Sequence, residues 1–88
     1  MINISIEVIG KVQGVGFRYY ILEHANMLGL TGYVKNLANG HVFIEAEGEP
    51  GSIEQLKHYC EQGPVRARVS SCIYELNALR YFKDFCIK

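Results

Sequence analysis

The sequence carries no net charge: nine Lys and Arg balance nine Asp and Glu over 88 residues. Without an excess of either sign, no long-range field draws the chain to nucleic acid or an anionic membrane, so any anion site has to be built locally. Hydrophobic residues make up 49% of the chain, yet they never run for the roughly 18 residues a membrane span requires. The first residues, Met1-Ile2-Asn3-Ile4, lack the charged region and long apolar stretch of a secretion signal, which points to the cytoplasm. Cysteines are few and odd in number. Cys60, Cys72 and Cys86 fit neither a disulfide framework nor zinc spacing and read as buried free thiols. There is no internal repeat, low-complexity segment or linker, so residues 1–88 read as a single domain with a two-layer core. No Ser-His-Asp or Cys-His pairing stands out as nucleophilic machinery. His24, His41 and His58 fall on a helix, the outer face of a strand and a second helix, with no carboxylate clustered beside them. His58-Tyr59-Cys60 is not metal spacing, because positions two apart on a helix face different ways.

What is present is a clear succession of periods. Ile2, Ile4, Ile6 and Val8 alternate with Asn3, Ser5 and Glu7, which predicts a strand over about 2–12 with one face on a core. From Phe17 the repeat lengthens: Phe17, Tyr20, Ile21, Ala25 and Leu28 recur at threes and fours, predicting a helix over 17–28 closed by Gly29. Thr31–Lys35 reads as a second strand. Asn39-Gly40 then signals a hairpin into a third, with Val42, Ile44 and Ala46 facing one way and His41, Phe43, Glu45 and Glu47 the other. After the turn at Gly48-Glu49-Pro50-Gly51, Ser52 and Gln55 have the spacing of a capping box for a second helix. Its stripe is Ile53, Leu56 and Cys60, and Gly63-Pro64 stops it. Val65, Ala67, Val69, Ser71 and Ile73 alternate as a fourth strand. Phe82, Phe85 and Ile87 suggest a short closing strand, with Asn77 to Tyr81 the least legible stretch.

The order β-α-β-β-α-β plus a short C-terminal strand predicts an α+β, ferredoxin-like two-layer sandwich: an antiparallel sheet with two helices on one face. Right-handed crossovers make strands one and two parallel, with strand three between them. The carboxyl ends of strands one and two then meet at one edge of the sheet. At the first of those ends lies Gly10-Lys11-Val12-Gln13-Gly14-Val15-Gly16-Phe17-Arg18, a glycine-rich turn leading into a helix. A helix N-terminus has unpaired N–H groups and partial positive charge, and curled backbone can bring several N–H groups onto one anion. Arg18 adds a planar fork of donors suited to phosphate oxygens. At the second end lies Asn36, which can face the same pocket. On their own, the glycine turn reads equally as a tight connection, Arg18 as a solvated cation and Asn36 as the start of the hairpin turn.

Gly10 to Arg18, together with Gly32-Tyr33-Val34-Lys35-Asn36, resembles the paired signature of the acylphosphatases, and the helix, hairpin and Gly63-Pro64 fall where that family has them. The resemblance implies hydrolysis of the carboxyl–phosphate bond of acyl phosphates without metal or cofactor. It implies a phosphate cradle of backbone N–H groups from Gln13, Gly14, Val15, Gly16, Phe17 and Arg18. Arg18 and Asn36 would be the catalytic residues, the first anchoring the phosphoryl group and the second orienting the attacking water. The chemistry is consistent with that assignment. An acyl phosphate is already activated, so the protein has to hold the phosphoryl group, stabilise its spreading charge and place a water in line. A neutral amide can position water but cannot take its proton, which would go to a phosphate oxygen of the substrate. Three positions depart from the family pattern: Leu37 where a hydroxyl residue is frequent, Tyr33 where tryptophan is common, and Asn39 in place of an aspartate.

The expected partner is a small acyl phosphate, with no nucleic acid and no membrane, and the expected state is a monomer. Lys11 and Lys35 flank the two motifs and serve either to attract an anion or simply as solvated charges. An alternative is a non-catalytic module that binds phosphate or carbamoyl phosphate. A ferredoxin-like nucleic-acid domain is disfavoured by the neutral balance, although Tyr33 and Phe43 face outward.

Overall fold

The computed structural model describes residues 1–88 as β1 (Ile2–Lys11), α1 (Phe17–Met27), β2 (Thr31–Asn36), β3 (Val42–Gly48), α2 (Pro50–Gln62), β4 (Arg68–Asn77) and β5 (Phe85–Ile87). The strands form one sheet in the order β4-β1-β3-β2-β5. β3 runs antiparallel to β1, from Ile2↔Gly48 to Val8↔Val42, and to β2, from Thr31↔Glu47 to Asn36↔Val42. β1 and β2 are therefore parallel, with β3 between them. The ferredoxin-like sandwich expected from the element order is present, with one amendment. β5 pairs parallel to β2, so the sheet is antiparallel through its first four strands and mixed at one edge.

The core lies between the sheet and its helices. α1 lies over β2 and β5, and α2 over β4 and β1. Ile4, Ile6 and Val8 of β1 and Val42, Ile44 and Ala46 of β3 meet Phe17, Ile21 and Ala25 of α1 and Ile53, Leu56 and Cys60 of α2, all buried. Each large aliphatic side chain so buried contributes roughly 1.5 to 3 kcal/mol relative to leaving it in water. α1 ends as its sequence suggests: the Leu30 N–H reaches Ala25 O at 2.9 Å and the Gly29 N–H reaches Asn26 O at 3.1 Å, the paired bonds of a Schellman motif.

Four expectations are corrected. α2 starts at Pro50, with Glu49 as its N-cap and no side-chain capping bond, so Ser52 lies inside the first turn and makes no capping box. Proline at the first helical position has its φ preset and needs no N–H partner, which favours that earlier start. The fourth strand begins at Arg68, and Val65 is 93% exposed. Its alternation also breaks. The β1–β4 register shifts between Ile9↔Ser71 and Gly10↔Val69, and this bulge turns Cys72 and Tyr74 toward the core while Ile73 faces out. Of the three free thiols, only Cys60 is buried; Cys72 is half-buried and Cys86 exposed.

The fourth correction concerns the helix-free face, where Glu45 and Glu47 were expected to meet solvent. They are 4% and 1% exposed. The connection from β4 to β5 crosses over them. The backbone N–H groups of Arg80 and Phe82 donate to the two oxygens of Glu47 at 2.6 and 3.1 Å, and Asn3 Nδ2 donates to Glu45 and Glu47 at 3.1 Å each. Arg80 Nη1 lies 3.3 Å from Glu45, and Asn77 Nδ2 donates to Asn3 Oδ1 at 3.0 Å. Tyr81 is held at φ 58, an uncommon conformation for a bulky residue, which turns the flanking N–H groups onto one carboxylate as in an anion-binding nest.

Burial pushes the Glu47 carboxyl up, but the N–H groups of Arg80, Phe82 and Tyr81 and the Asn3 amide outweigh it and hold it below its ordinary value of 4.5. A depressed carboxyl stabilises the fold above its ordinary range, and that contribution fades as pH falls through the folded value. Urea midpoints measured against pH are therefore expected to fall below about pH 4.5, and Glu47→Gln is expected to flatten that fall. Glu47→Ala leaves the donors unpaired and is expected to cost about 2 to 4 kcal/mol.

Candidate active site

The turn between β1 and α1 is shaped by where its apolar residues go. Val12, Val15 and Phe17 are buried in the core, while Gly14 and Gly16 between them are exposed. Gly16 is the N-cap of α1 at φ 81, ψ 17, a left-handed conformation in which a side chain would be strained. Gly10, where the turn leaves the sheet, sits at φ 139, and a Cβ there would stand 2.1 Å from the Arg68 carbonyl oxygen of β4. The first helical bond runs from the Tyr20 N–H to Gly16 O at 3.1 Å. The N–H groups of Phe17, Arg18 and Tyr19 thus have no partner within the helix, and partial positive charge gathers at this end. No acidic side chain in the first turn offsets it.

Asn36 is the last residue of β2 and pairs with Val42, at the edge where β1 also ends. Gly14, Gly16, Phe17, Arg18, Tyr19 and Asn36 consequently line one cavity of about 220 Å³. The structure brings Arg18 and Asn36, eighteen positions apart in the chain, onto the same cavity. Arg18 is half-buried and takes part in none of the ion pairs, which are His41–Glu7, Lys57–Glu54, His58–Glu61 and Arg80–Glu45. Two residues of the expected cradle lie outside the lining. Val15 is packed in the core, and the Gln13 amide turns the other way, its Nε2 donating to Leu37 O at 2.8 Å and His41 O at 2.9 Å.

That pair of hydrogen bonds ties the glycine turn to the β2–β3 turn and so fixes Asn36 relative to the helix N-terminus. Nothing near Gln13 in the sequence announces it, since the partners are 24 and 28 residues away. The β2–β3 turn is held from a second side. His41 N–H donates to Asn39 Oδ1 at 3.0 Å, and the His41 ring contacts the Glu7 carboxylate. The His41 hydrogen bond is the main reason that the Glu7 carboxyl lies below its ordinary 4.5, against the opposing effect of burial and with help from Asn39. The expectation that His41 has no carboxylate beside it is thus overturned, because β1 and β3 are neighbours. His58 also has one, Glu61 at 3.9 Å one helical turn on. His24 stacks on Tyr59 with ring centroids 3.7 Å apart, joining α1 to α2. Tyr19, which the sequence did not single out, lines the cavity next to Arg18.

The cavity offers convergent donors and one unpaired fixed cation, a match for a small oxyanion, with a neutral amide opposite the helix end. Gln13→Ala is expected to lower stability by about 1 to 2 kcal/mol and to speed amide exchange across residues 12–16. Gln13→Glu, which sets a carboxylate against two carbonyl oxygens, is expected to cost more in the same urea titration.

The profile of the Acylphosphatase family matches residues 4–87. The chain is 42% identical over 89 residues to an acylphosphatase of Actinobacillus succinogenes, with 100% of this chain and 99% of that protein covered. It is 52% identical over 61 residues to an acylphosphatase of Synechococcus sp., a match that covers 69% of this chain and 61% of that protein. Among solved structures, the acylphosphatase of Bacillus subtilis superposes with a TM-score of 0.97 at 32% identity, covering 100% of this chain and 99% of that one.

Proposed function

The chain belongs to the acylphosphatase family, and from that premise we propose that it hydrolyses acyl phosphates to a carboxylate and inorganic phosphate through the cavity shared by Arg18 and Asn36. The observation that carries the reading is that shared cavity: a helix N-terminus, an unpaired guanidinium and a side-chain amide face about 220 Å³ of space. Backbone N–H groups of the 13–18 turn and the Arg18 guanidinium hold the phosphoryl oxygens and oppose the negative charge that spreads over them in the transition state. The Asn36 amide accepts a hydrogen bond from one water and aligns its oxygen with phosphorus. The water oxygen bonds to phosphorus as the bond from phosphorus to the acyl oxygen breaks. The water proton passes to a phosphate oxygen of the substrate, since an amide cannot take it at neutral pH. The carboxylate leaves with the bonding electron pair.

One chain supplies every group in this scheme, which supports the reading that it works as a monomer. Three unpaired cysteines, one of them exposed, fit a reducing compartment and support the reading of a cytoplasmic activity. Leu37 brings no hydroxyl to the water's side of the cavity, but its carbonyl is the acceptor for Gln13, so the backbone there is still held.

Hydrolysis of benzoyl phosphate by the full chain tests the reading. The wild type is expected to turn over well above the buffer rate, with Arg18→Gln and Asn36→Ala each lowering kcat/KM by at least about 100-fold while the urea midpoint stays close to wild type. A wild type that binds phosphate yet hydrolyses no faster than buffer would point instead to a phosphate-binding module.

A further inference from the structure

A second cavity of about 490 Å³ opens on the outer side of α1, lined by Gly16, Tyr19, Tyr20, Leu22, Glu23 and Asn26. It shares Gly16 and Tyr19 with the Arg18–Asn36 cavity, so the two adjoin at the helix N-terminus. Asn36 lines only the first. In an in-line displacement the attacking and leaving oxygens stand on opposite sides of phosphorus. If Asn36 holds the water, the acyl group has to leave the phosphoryl cavity on the side away from Asn36, and the groove along α1 adjoins that cavity without being lined by Asn36.

From this adjacency we propose that the groove is the acyl subsite and that Glu23 makes it favour acyl groups bearing a positive charge over those bearing a negative one. The inference rests on the reading above for the placement of water and phosphoryl group. Tyr19, Glu23 and Asn26 follow one another at four and three positions and so share one face of α1. Tyr19 is 72% exposed and offers its ring at the junction of the two cavities. An aryl or quaternary ammonium group could lie against that ring. Glu23 is exposed and takes part in none of the ion pairs, leaving its charge for a ligand. It stands five residues beyond Arg18, roughly 7 Å along the axis and about 140° around it. That separates it from the phosphoryl group while leaving it within reach of a para substituent on a benzoyl group. A groove with a free carboxylate would then sort acyl groups by charge, which the small phosphoryl cavity alone does not do.

The test compares kcat/KM for benzoyl phosphate, its para-(trimethylammoniomethyl) derivative and its para-carboxy derivative, using the full chain at low salt. The quaternary amine cannot itself attack the anhydride. The wild type is expected to prefer the cationic to the anionic substrate, mainly through KM. Glu23→Gln is expected to narrow that preference about three- to tenfold, the sum of a lost attraction and a lost repulsion for an exposed charge. Glu54→Gln, which removes the same charge from α2, is expected to keep the wild-type ratio, and high salt to compress it. If all three substrates turn over and Glu23→Gln keeps the wild-type ratio, the acyl subsite is wrong and the hydrolytic reading stands. If none turns over above buffer, both fall.

Discussion

Everything at the site depends on β3 lying between β1 and β2 and antiparallel to both. That arrangement makes the flanking strands parallel, so the chain leaves the sheet at the same edge after Lys11 and after Asn36. A different strand order would leave the glycine turn as an isolated anion-binding element and Asn36 as an ordinary hairpin residue. The core enforces the order. Val12, Val15 and Phe17 dive into the same apolar layer as Val34, Val42 and Ile44, so the turn cannot lift away without exposing buried surface. The Gln13 amide adds a polar tie at the rim, and its two acceptors belong to the turn that follows Asn36. Hydrophobic burial thus sets where the two halves of the site lie, and a pair of directional hydrogen bonds sets how closely they face each other.

The opposite face of the sheet meets a different demand. Two carboxylates, Glu45 and Glu47, sit side by side on β3 under the connection between β4 and β5. Adjacent buried charges of one sign are unfavourable unless each is well supplied with donors. Asn3 bridges them, Arg80 reaches Glu45, and the Arg80 and Phe82 backbone closes on Glu47. This connection leads directly into β5, whose parallel pairing with β2 extends the sheet beyond the strand that ends in Asn36. The acidic pair therefore orders the segment that secures the outer edge of the site-bearing strand.

The sequence made the fold legible where one physical rule governed a whole element. Alternation along Ile2–Val8, the three-and-four spacing from Phe17, and Asn39-Gly40 each translated directly into β1, α1 and the β2–β3 turn. It misled where two rules competed. Ser52 and Gln55 satisfy the spacing of a capping box, but Pro50 starts the helix first. Val69, Ser71 and Ile73 alternate correctly on paper, but the bulge opposite Ile9 and Gly10 reverses the face after Val69. It was silent where a residue's partner is remote. Glu47 looks like a solvated residue of a half-buried strand until Arg80, Tyr81 and Phe82 fold over it, and nothing beside Gln13 announces that its side-chain amide bonds Leu37 O and His41 O. Arg18 and Asn36 meet as a consequence of strand directions alone, which the element order specifies. The tie that holds them needed a side-chain direction, which no periodicity supplies.

The charge distribution shows why the site stays open to an anion. A guanidinium at a helix N-terminus opposes the helix dipole and would ordinarily recruit a carboxylate from the same protein. Here none of the ion pairs involves Arg18, and several carboxylates are engaged elsewhere: Glu7 with His41, Glu45 and Glu47 in the Asn3 and Arg80 network, and Glu54 with Lys57. Glu23 is on α1 itself but lies well over a quarter-turn around the helix from Arg18, on the side of the outer groove. Balanced overall charge therefore coexists with a positive spot at Arg18 that no ion pair compensates, while several carboxylates are engaged on the sheet's other face and at the turn behind Asn36. In the proposed mechanism, a phosphoryl group entering the cavity would relieve the unfavourable proximity of Arg18 and the helix end. That relief grows as charge spreads over its oxygens in the transition state, which is the condition for binding energy to accelerate the reaction.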